Sequence, residues 1–172
     1  KTEQTESHYG VPKGLKLRDE IARFWRIAQN LWADLQPLRL REDINAHDAT
    51  VREFLVPLLR DVLGFADIAT AATVAAGGHT YNIGHAARGG RLPVIVAAHN
   101  QGLDDSADRF GDLNPETNRI RRRSPFMLAQ EALNASDHSL WALVSNGLTL
   151  RVLRDNPSLT RPAYVEIDLE AL

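Results

Sequence analysis

Cysteine is absent from this chain of 172 residues, which excludes disulfide bonds, thiolate catalysis and cysteine-ligated zinc. No apolar run approaches the roughly 20 residues that a helix needs to cross a bilayer, so we expect no membrane span. The chain also lacks an excess of either charge, with 20 Lys and Arg against 22 Asp and Glu. Any contact with nucleic acid must therefore come from a local basic patch. We expect a cytoplasmic protein.

Several motifs that would indicate a chemistry are missing as well. The sequence has no P-loop, no His-Glu-x-x-His and no Gly-x-Ser-x-Gly, and its glycine-rich pieces do not fit Gly-x-Gly-x-x-Gly. The Asn-Pro-Pro-Tyr-like base clamp and the glycine-rich cofactor loop of a methyltransferase are also absent. The composition is that of a globular domain, 44% hydrophobic and 24% charged. The abrupt start and end of the chain lead us to expect a fragment of a larger protein.

The stretch Leu140–Arg154 organises the sequence as a predicted β-hairpin. Its first arm, 140–144, is almost wholly apolar, as expected of a strand covered on both faces. Its second arm alternates apolar and polar residues. Asn146-Gly147 joins the arms and predicts a type I′ turn, because both residues tolerate the positive φ that this turn needs. Residues 164–168 alternate again and predict a further strand.

Residues 1–46 are predicted to form a loose tail followed by an amphipathic helix. Apolar residues from Leu17 to Leu35 form one helical stripe, and Pro37 is expected to end the helix. Trp25 and Trp32 widen the stripe. The helix either packs on the core or presents a surface to a missing partner domain, since aromatic residues are common at interfaces.

Residues 47–172 are predicted to form a second unit that opens with a helix. This helix spans about 48–63 and begins with a capping box of Thr50 and Glu53. Pro57 is expected to kink it or delay its start, and Gly64 is a fitting residue just beyond its end.

The centre of the chain predicts strands and one long polar loop. We expect a strand or loop at 65–78, then two strands at 81–87 and 92–99. The polar stretch 100–123 lacks periodicity and is long for a loop, which is typical of functional or disordered segments. A helix follows from Ser124. The predicted fold class is α/β, with a mixed central sheet and flanking helices.

A basic cluster is the first candidate site. It consists of Arg119, Arg121, Arg122 and Arg123, beside the start of the helix after Ser124. Guanidinium groups and the free N–H groups of a helix start both suit DNA phosphates. The alternative is a solvated loop without a ligand.

Metal binding is the weaker candidate. Asp104 and Asp105, with His99, are a possible set of migrated ligands, and His79, His85 and His99 fall on or beside neighbouring strands. A structural or catalytic site needs a further ligand and supporting hydrogen bonds, which the sequence does not place. We therefore assign no metal site, and a solvated acidic loop is the alternative.

The C-terminal part of the chain resembles a known family. The pattern is Ser-Pro-x-x-Leu-x-Gln-Glu-x-Leu-Asn, then Leu-Trp-x-Leu-Val-Ser-Asn-Gly-x-x-Leu-Arg-x-Leu-Arg-Asp-Asn, then Tyr-Val-Glu-x-Asp-Leu-Glu. With the helix Phe54–Arg60 and the sequence Leu63-Gly64-Phe65, it is similar to the N-terminal region of adenine-specific DNA methyltransferases of the type IIG class and of phage-defence systems. The resemblance covers about Asp48 to Leu172. The matching positions are Ser124, Pro125, Leu128, Gln130, Glu131, Leu133, Asn134, Trp141, Ser145, Asn146, Gly147, Leu150, Arg151, Leu153, Arg154, Asp155, Asn156, Tyr164, Glu166, Asp168 and Leu169.

The resemblance implies a restriction-endonuclease-like topology of the PD-(D/E)XK type. Such a nuclease holds Mg²⁺ with an acid on one strand and Glu-x-Lys on the next. In place of the acid this chain has Tyr81-Asn82-Ile83-Gly84, and in place of Glu-x-Lys it has Val96-Ala97-Ala98-His99. We therefore expect that this chain keeps the nuclease fold but lacks the residues for nuclease catalysis, and that this fragment binds no cofactor.

Three functional hypotheses follow. The first is a non-catalytic nuclease-like N-terminal module of a restriction–modification or phage-defence DNA methyltransferase, which contacts the DNA backbone or docks to the C-terminal methyltransferase portion. The second is an active Mg²⁺-dependent DNA endonuclease that uses His99, Asp104 and Asp105. The third is a protein-interaction module without nucleic-acid contact.

Overall fold

A mixed six-stranded sheet forms the centre of the fold in the computed structural model, which describes residues 5–71, 73–76, 79–114, 119–155 and 163–172. In the chain's order the strands are β1 (Ala69–Ala71), β2 (Val74–Ala76), β3 (His79–Tyr81), β4 (Gly84–Ala87), β5 (Leu92–Val96), β6 (Ala107–Asn114), β7 (Arg119–Arg123), β8 (Trp141–Ser145), β9 (Thr149–Arg154) and β10 (Ala163–Asp168). The sheet has the order β1-β4-β5-β8-β9-β10. Only β5 and β8 are parallel among these neighbours. The predicted α/β class with a mixed sheet is therefore confirmed.

Helices cover both faces of the sheet. The helix α1 (Leu17–Arg39) and the second helix, which spans 46–62, pack on one face, and α3 (Pro125–Ala135) packs on the other. Alternation along β5 divides its side chains between the two cores: Ile95 joins the α3 side, while Val94 and Val96 join the side of the second helix. The parallel connection from β5 to β8 runs through the ribbon β6–β7 and α3.

The second helix begins earlier than predicted and is unusually wide. Its α-helical turn α2 (Ala46–Ala49) is capped by the Asn45 side chain, which accepts hydrogen bonds from the next N–H groups. The predicted capping box is wrong, because Thr50 Oγ1 donates instead to the Ala46 carbonyl. The helix continues in wide turns over Thr50–Leu55 and Leu58–Val62. Pro57 lacks an N–H group, and the turns on either side of it use longer-spaced hydrogen bonds.

The helix α1 also departs from prediction at its end. It continues through Pro37 to Arg39, because a proline keeps a helical φ and here removes only one hydrogen bond near a helix terminus. Ala28 and Leu35 of α1 are buried in the hydrophobic core between α1, the second helix and the sheet. The proposed unit boundary between residues 46 and 47 stays a prediction.

The hairpin of β8 and β9 is confirmed, but its turn differs. The loop has three residues, 146–148, and Gly147 has φ of +82° while Asn146 does not share a positive φ. The type I′ prediction is therefore wrong. The Asn146 side chain instead accepts hydrogen bonds from the N–H groups of Leu148 and Thr149, and its amide donates to the Gln101 carbonyl. This side chain closes the turn and ties it to the loop after β5.

The stretch 100–123 contains more structure than predicted. Its described part includes the antiparallel ribbon β6–β7, which has an irregular register between Ala107 and Asp112. The strand expected at 81–87 is broken between β3 and β4, where Gly84, the first residue of β4, adopts φ of +81°. The strand expected at 92–99 ends at Val96. After β10 the chain forms a turn, in which Asp168 Oδ1 accepts a hydrogen bond from the Glu170 N–H.

Candidate functional site

A cavity of about 710 Å³ lies between the second helix, β1, β4 and β6. The wide turns of the second helix form one wall, and the opposite wall is the sheet face that carries Val96. His85 alternates with Ala86 along β4, which places it on the face of Ala87 that looks toward the second helix. Phe110, on β6 of the ribbon β6–β7, also lines the cavity. The cavity thus lies between the sheet and the second helix.

The charges that line this cavity are mostly positive. Three arginines contribute, Arg52, Arg60 and Arg109, and Asp48 is the one carboxylate among its lining residues. Arg60 makes two hydrogen bonds with Asp61, which lies outside the cavity. In the part of the chain that the structure describes, neither Arg52 nor Arg109 has an ion pair. Among the described residues, the cavity therefore has more guanidinium groups than carboxylates paired with them.

Arg109 contacts a histidine ring instead of an acid. Its Nη2 lies 2.9 Å from Nδ1 and 2.5 Å from Nε2 of His47. An arginine only donates, and a neutral imidazole has one acceptor nitrogen, so Arg109 can form one of these two hydrogen bonds, and only with a neutral ring. Asp48 Oδ1 lies 3.5 Å from His47 Nδ1. His47 thus lies between one guanidinium and one carboxylate.

Burial and the nearby cation both disfavour protonation of the two cavity histidines. Burial lowers the pKa of His47, the positive charge of Arg109 lowers it further, and Asp48 partly opposes both effects. The pKa of His85 is lowered by burial and then by Arg109. Burial also lowers the pKa of Arg109, which Asp48 opposes. Burial is the largest cause of each shift, and for the two histidines the neighbouring positive charge adds to it.

The strands β4 and β5 carry no acidic residue. Val94 and Val96 of β5 face the second helix and are 1% and 4% exposed. On β4 the residue facing the same way is His85. Mg²⁺ requires oxygen ligands, usually carboxylates, so these side chains do not fit that ion. These side chains therefore support no metal-dependent reaction step.

The predicted basic cluster is neutralised by neighbouring acids. Arg121 Nη2 lies 3.1 Å from Glu131 Oε1. Arg122 Nε lies 3.0 Å from Asp108 Oδ1, and its Nη2 donates to the Ser106 carbonyl. The side chain of Arg119 lies outside the described residues. The DNA-contact hypothesis for the cluster stays a prediction.

Arg123 differs from its neighbours because it is buried. Its side chain is 5% exposed, pairs with Asp112, and has its Nε 2.7 Å from Glu131 Oε2. Its guanidinium lies 5.9 Å from the centre of the Tyr81 ring. These contacts fasten the ribbon to α3 and β3, which is a structural role.

The candidate metal ligands do not converge. Asp104 accepts two hydrogen bonds from the Arg151 guanidinium, at 2.7 and 2.8 Å. His99 lies beside the second helix, where its backbone N–H donates a hydrogen bond to Thr50 Oγ1. In the described ranges no group of three or more His, Asp or Glu side chains is arranged to hold a metal ion. Nor does any described helix have the length and apolar character to cross a membrane.

Sequence reasoning missed the cavity. His85 was singled out only as a metal ligand, beside His79, whose side chain lies outside the described residues. His47 and Arg109 were not noticed, since they lie 62 positions apart and in segments without a motif. Comparisons of the chain with protein-family models, curated proteins and solved structures find no match.

Proposed function

We propose that this chain is a non-catalytic, nuclease-like N-terminal module of a restriction–modification or phage-defence DNA methyltransferase. The central sheet supports this proposal, because it is mixed and has helices on both faces, as the resemblance implies. In that sheet β1, β4 and β5 are antiparallel neighbours, and β8, which follows α3, is parallel to β5. The module acts by contacting the DNA backbone or by docking to the methyltransferase portion.

One observation carries the non-catalytic part of the proposal. Val96 lines the cavity from β5, and Arg109 supplies a positive charge to the same cavity. A divalent cation would meet guanidinium groups there without a set of carboxylates to offset them. Cleavage of a phosphodiester by this chain alone is therefore not expected.

The direct test is DNA cleavage by the purified chain. Supercoiled plasmid is incubated with the chain and Mg²⁺ or Mn²⁺, and we expect it to remain supercoiled. Cleavage that disappears in Asp104→Ala or Asp105→Ala would establish the active endonuclease instead. DNA binding is measured in parallel by fluorescence anisotropy over a range of salt concentrations, because backbone contacts give a steep salt dependence.

Docking to another part of the parent protein is favoured by the exposed start of α1. Ile21 is 59% exposed and Trp25 is 49% exposed, on the apolar stripe of an amphipathic helix. In the full-length parent protein we expect limited proteolysis within residues 17–27 to be slower than in the isolated chain. Equal cleavage rates would contradict docking through this helix.

A further inference from the structure

We propose that the cavity between the second helix, β4 and β6 binds a phosphate group, held by Arg109 with His47 and His85. The proposal does not require the function proposed above, because a phosphorylated small molecule satisfies it as well as the DNA backbone does. It assigns the phosphate to a different place from the basic cluster at Arg121 and Arg122. The residues and contacts of this cavity carry it.

The first step is that Arg109 forms no ion pair within the described part of the chain. Its described polar partner is the neutral ring of His47, at 2.5 and 2.9 Å. Asp48 is close enough to favour its charged form but makes no described ion pair with it. Arg52 lines the same cavity and likewise has no ion pair among the described residues. A bound anion would offset the cost of gathering these charges, which makes the cavity electrostatically suited to one.

The second step is the shape of the anion. Donors come from three separate elements: His47 on the second helix, His85 on β4 and Arg109 on β6. A planar carboxylate presents two oxygens in one plane, whereas a phosphate presents oxygens in several directions. Guanidinium groups bind phosphate with two parallel hydrogen bonds, and imidazole N–H groups supply further donors. Donors arranged around a recess therefore favour a tetrahedral oxyanion.

The third step is the room available. A volume of about 710 Å³ is within the usual range for small-molecule sites. It exceeds what a bare phosphate fills. The polar side chains of Thr70 and Asn82 line the remaining space, which suits the hydroxyl groups of an attached sugar. The ligand class is thus a phosphate monoester or diester that carries hydroxyl groups, of which a nucleotide is the example used below.

The test follows the imidazole resonances of the protein by NMR. Inorganic phosphate, a nucleoside 5′-monophosphate and a short DNA duplex are titrated separately at constant ionic strength set with sodium chloride. We expect saturable shifts at His47 and His85, while the exposed His8 and His138 serve as internal references. Absence of saturable shifts at His47 and His85 with all three probes overturns the proposal.

Charge-removing variants make the test specific. Arg109→Gln is expected to weaken binding of the bound probe by about tenfold or more, since a hydrogen bond to a charged group is lost. The matched control Arg18→Gln removes the same charge from the exposed start of α1 and should change affinity by less than about twofold. Equal weakening by both variants overturns the proposal. Amide dispersion in the NMR spectrum checks folding, and His85→Gln replaces Arg109→Gln if the latter unfolds.

The three probes separate this inference from the function proposed above. If phosphate or the nucleotide shifts His47 and His85 but DNA does not bind, the site is confirmed and belongs to a small phosphorylated ligand. DNA contact by the module then fails. If DNA binds while these two histidines do not respond to any probe, DNA contact stands and the cavity proposal is refuted.

Discussion

Arg121 and Arg123 stand two positions apart on β7, yet their surroundings predict opposite consequences of losing them. The Arg121 side chain is 64% exposed and makes one ion pair at 3.1 Å. The Arg123 side chain is 5% exposed and joins Asp112 of the ribbon to Glu131 of α3. We therefore predict that Arg123→Gln lowers stability, whereas Arg121→Gln does so only slightly.

The burial of each pair sets the size of the effect. Breaking a fully buried ion pair costs about 3–5 kcal/mol. The partners of Arg123, Asp112 and Glu131, are 43% and 27% exposed, so water reduces that cost and we expect about 2–3 kcal/mol. For a domain of this size this is a fall in Tm of about 5–10 °C. Arg121→Gln breaks an exposed pair, worth about 1 kcal/mol or less.

Thermal unfolding followed by circular dichroism measures both variants, and DNA titrations at several salt concentrations accompany it. If Arg121 contacts phosphate, its loss flattens the slope of log affinity against log salt by about 0.9. Arg123→Gln should leave that slope unchanged at temperatures where the variant is folded. A Tm within about 2 °C of wild type for Arg123→Gln, combined with a flatter slope, would refute the structural assignment.

Three further predictions concern stability. Arg151 is 9% exposed and bonded to two carboxylates, so Arg151→Met should cost about 2–3 kcal/mol in urea unfolding. Arg154 is exposed, so the control Arg154→Met should cost about 1 kcal/mol or less. Equal losses of stability contradict this prediction. Gly147→Ala should cost about 2 kcal/mol, since φ is +82° and the new Cβ would lie 2.8 Å from Thr50 Cγ2; a neutral effect contradicts it. The folded pKa of His85 is lowered, so the unfolded chain binds more protons below about pH 6.5 and stability falls as pH falls through that value toward the folded pKa. His85→Gln should reduce this loss in Tm measured between pH 7.5 and 5, and an unchanged pH dependence contradicts it.

Local sequence patterns predicted the centre of the fold well. Most of the apolar run 140–144 lies in the central strand β8, where residues 142–144 are buried. The Ser124 side chain caps α3 by accepting a hydrogen bond from the Met127 N–H. Both features are set by neighbours in the sequence. The turn at Asn146 was predicted in place but not in type, because its amide also bonds to the Gln101 carbonyl, 45 positions away. Such a partner has no local signature.

The cavity had no local signature for the same reason. His47, His85 and Arg109 belong to three elements, and their proximity depends on how the ribbon folds over the sheet. Predicting 100–123 as a structureless loop removed the element that carries Arg109. The basic run 121–123 drew attention because its charges are adjacent in sequence, yet each of those arginines has a described carboxylate partner. Clustering in sequence was therefore a poor guide to uncompensated charge.

The ribbon β6–β7 connects the two basic features of this protein. Arg123 on β7 pairs with Asp112 on β6 and with Glu131 on α3, and Arg109 lies three residues before Asp112 on the same strand. The register between β6 and β7 is irregular just where these residues lie, so strand pairing alone fixes the ribbon weakly there. The buried Arg123 pairs add a side-chain link between β6, β7 and α3 beside this irregularity. We therefore expect these pairs to help hold the position from which Arg109 reaches His47.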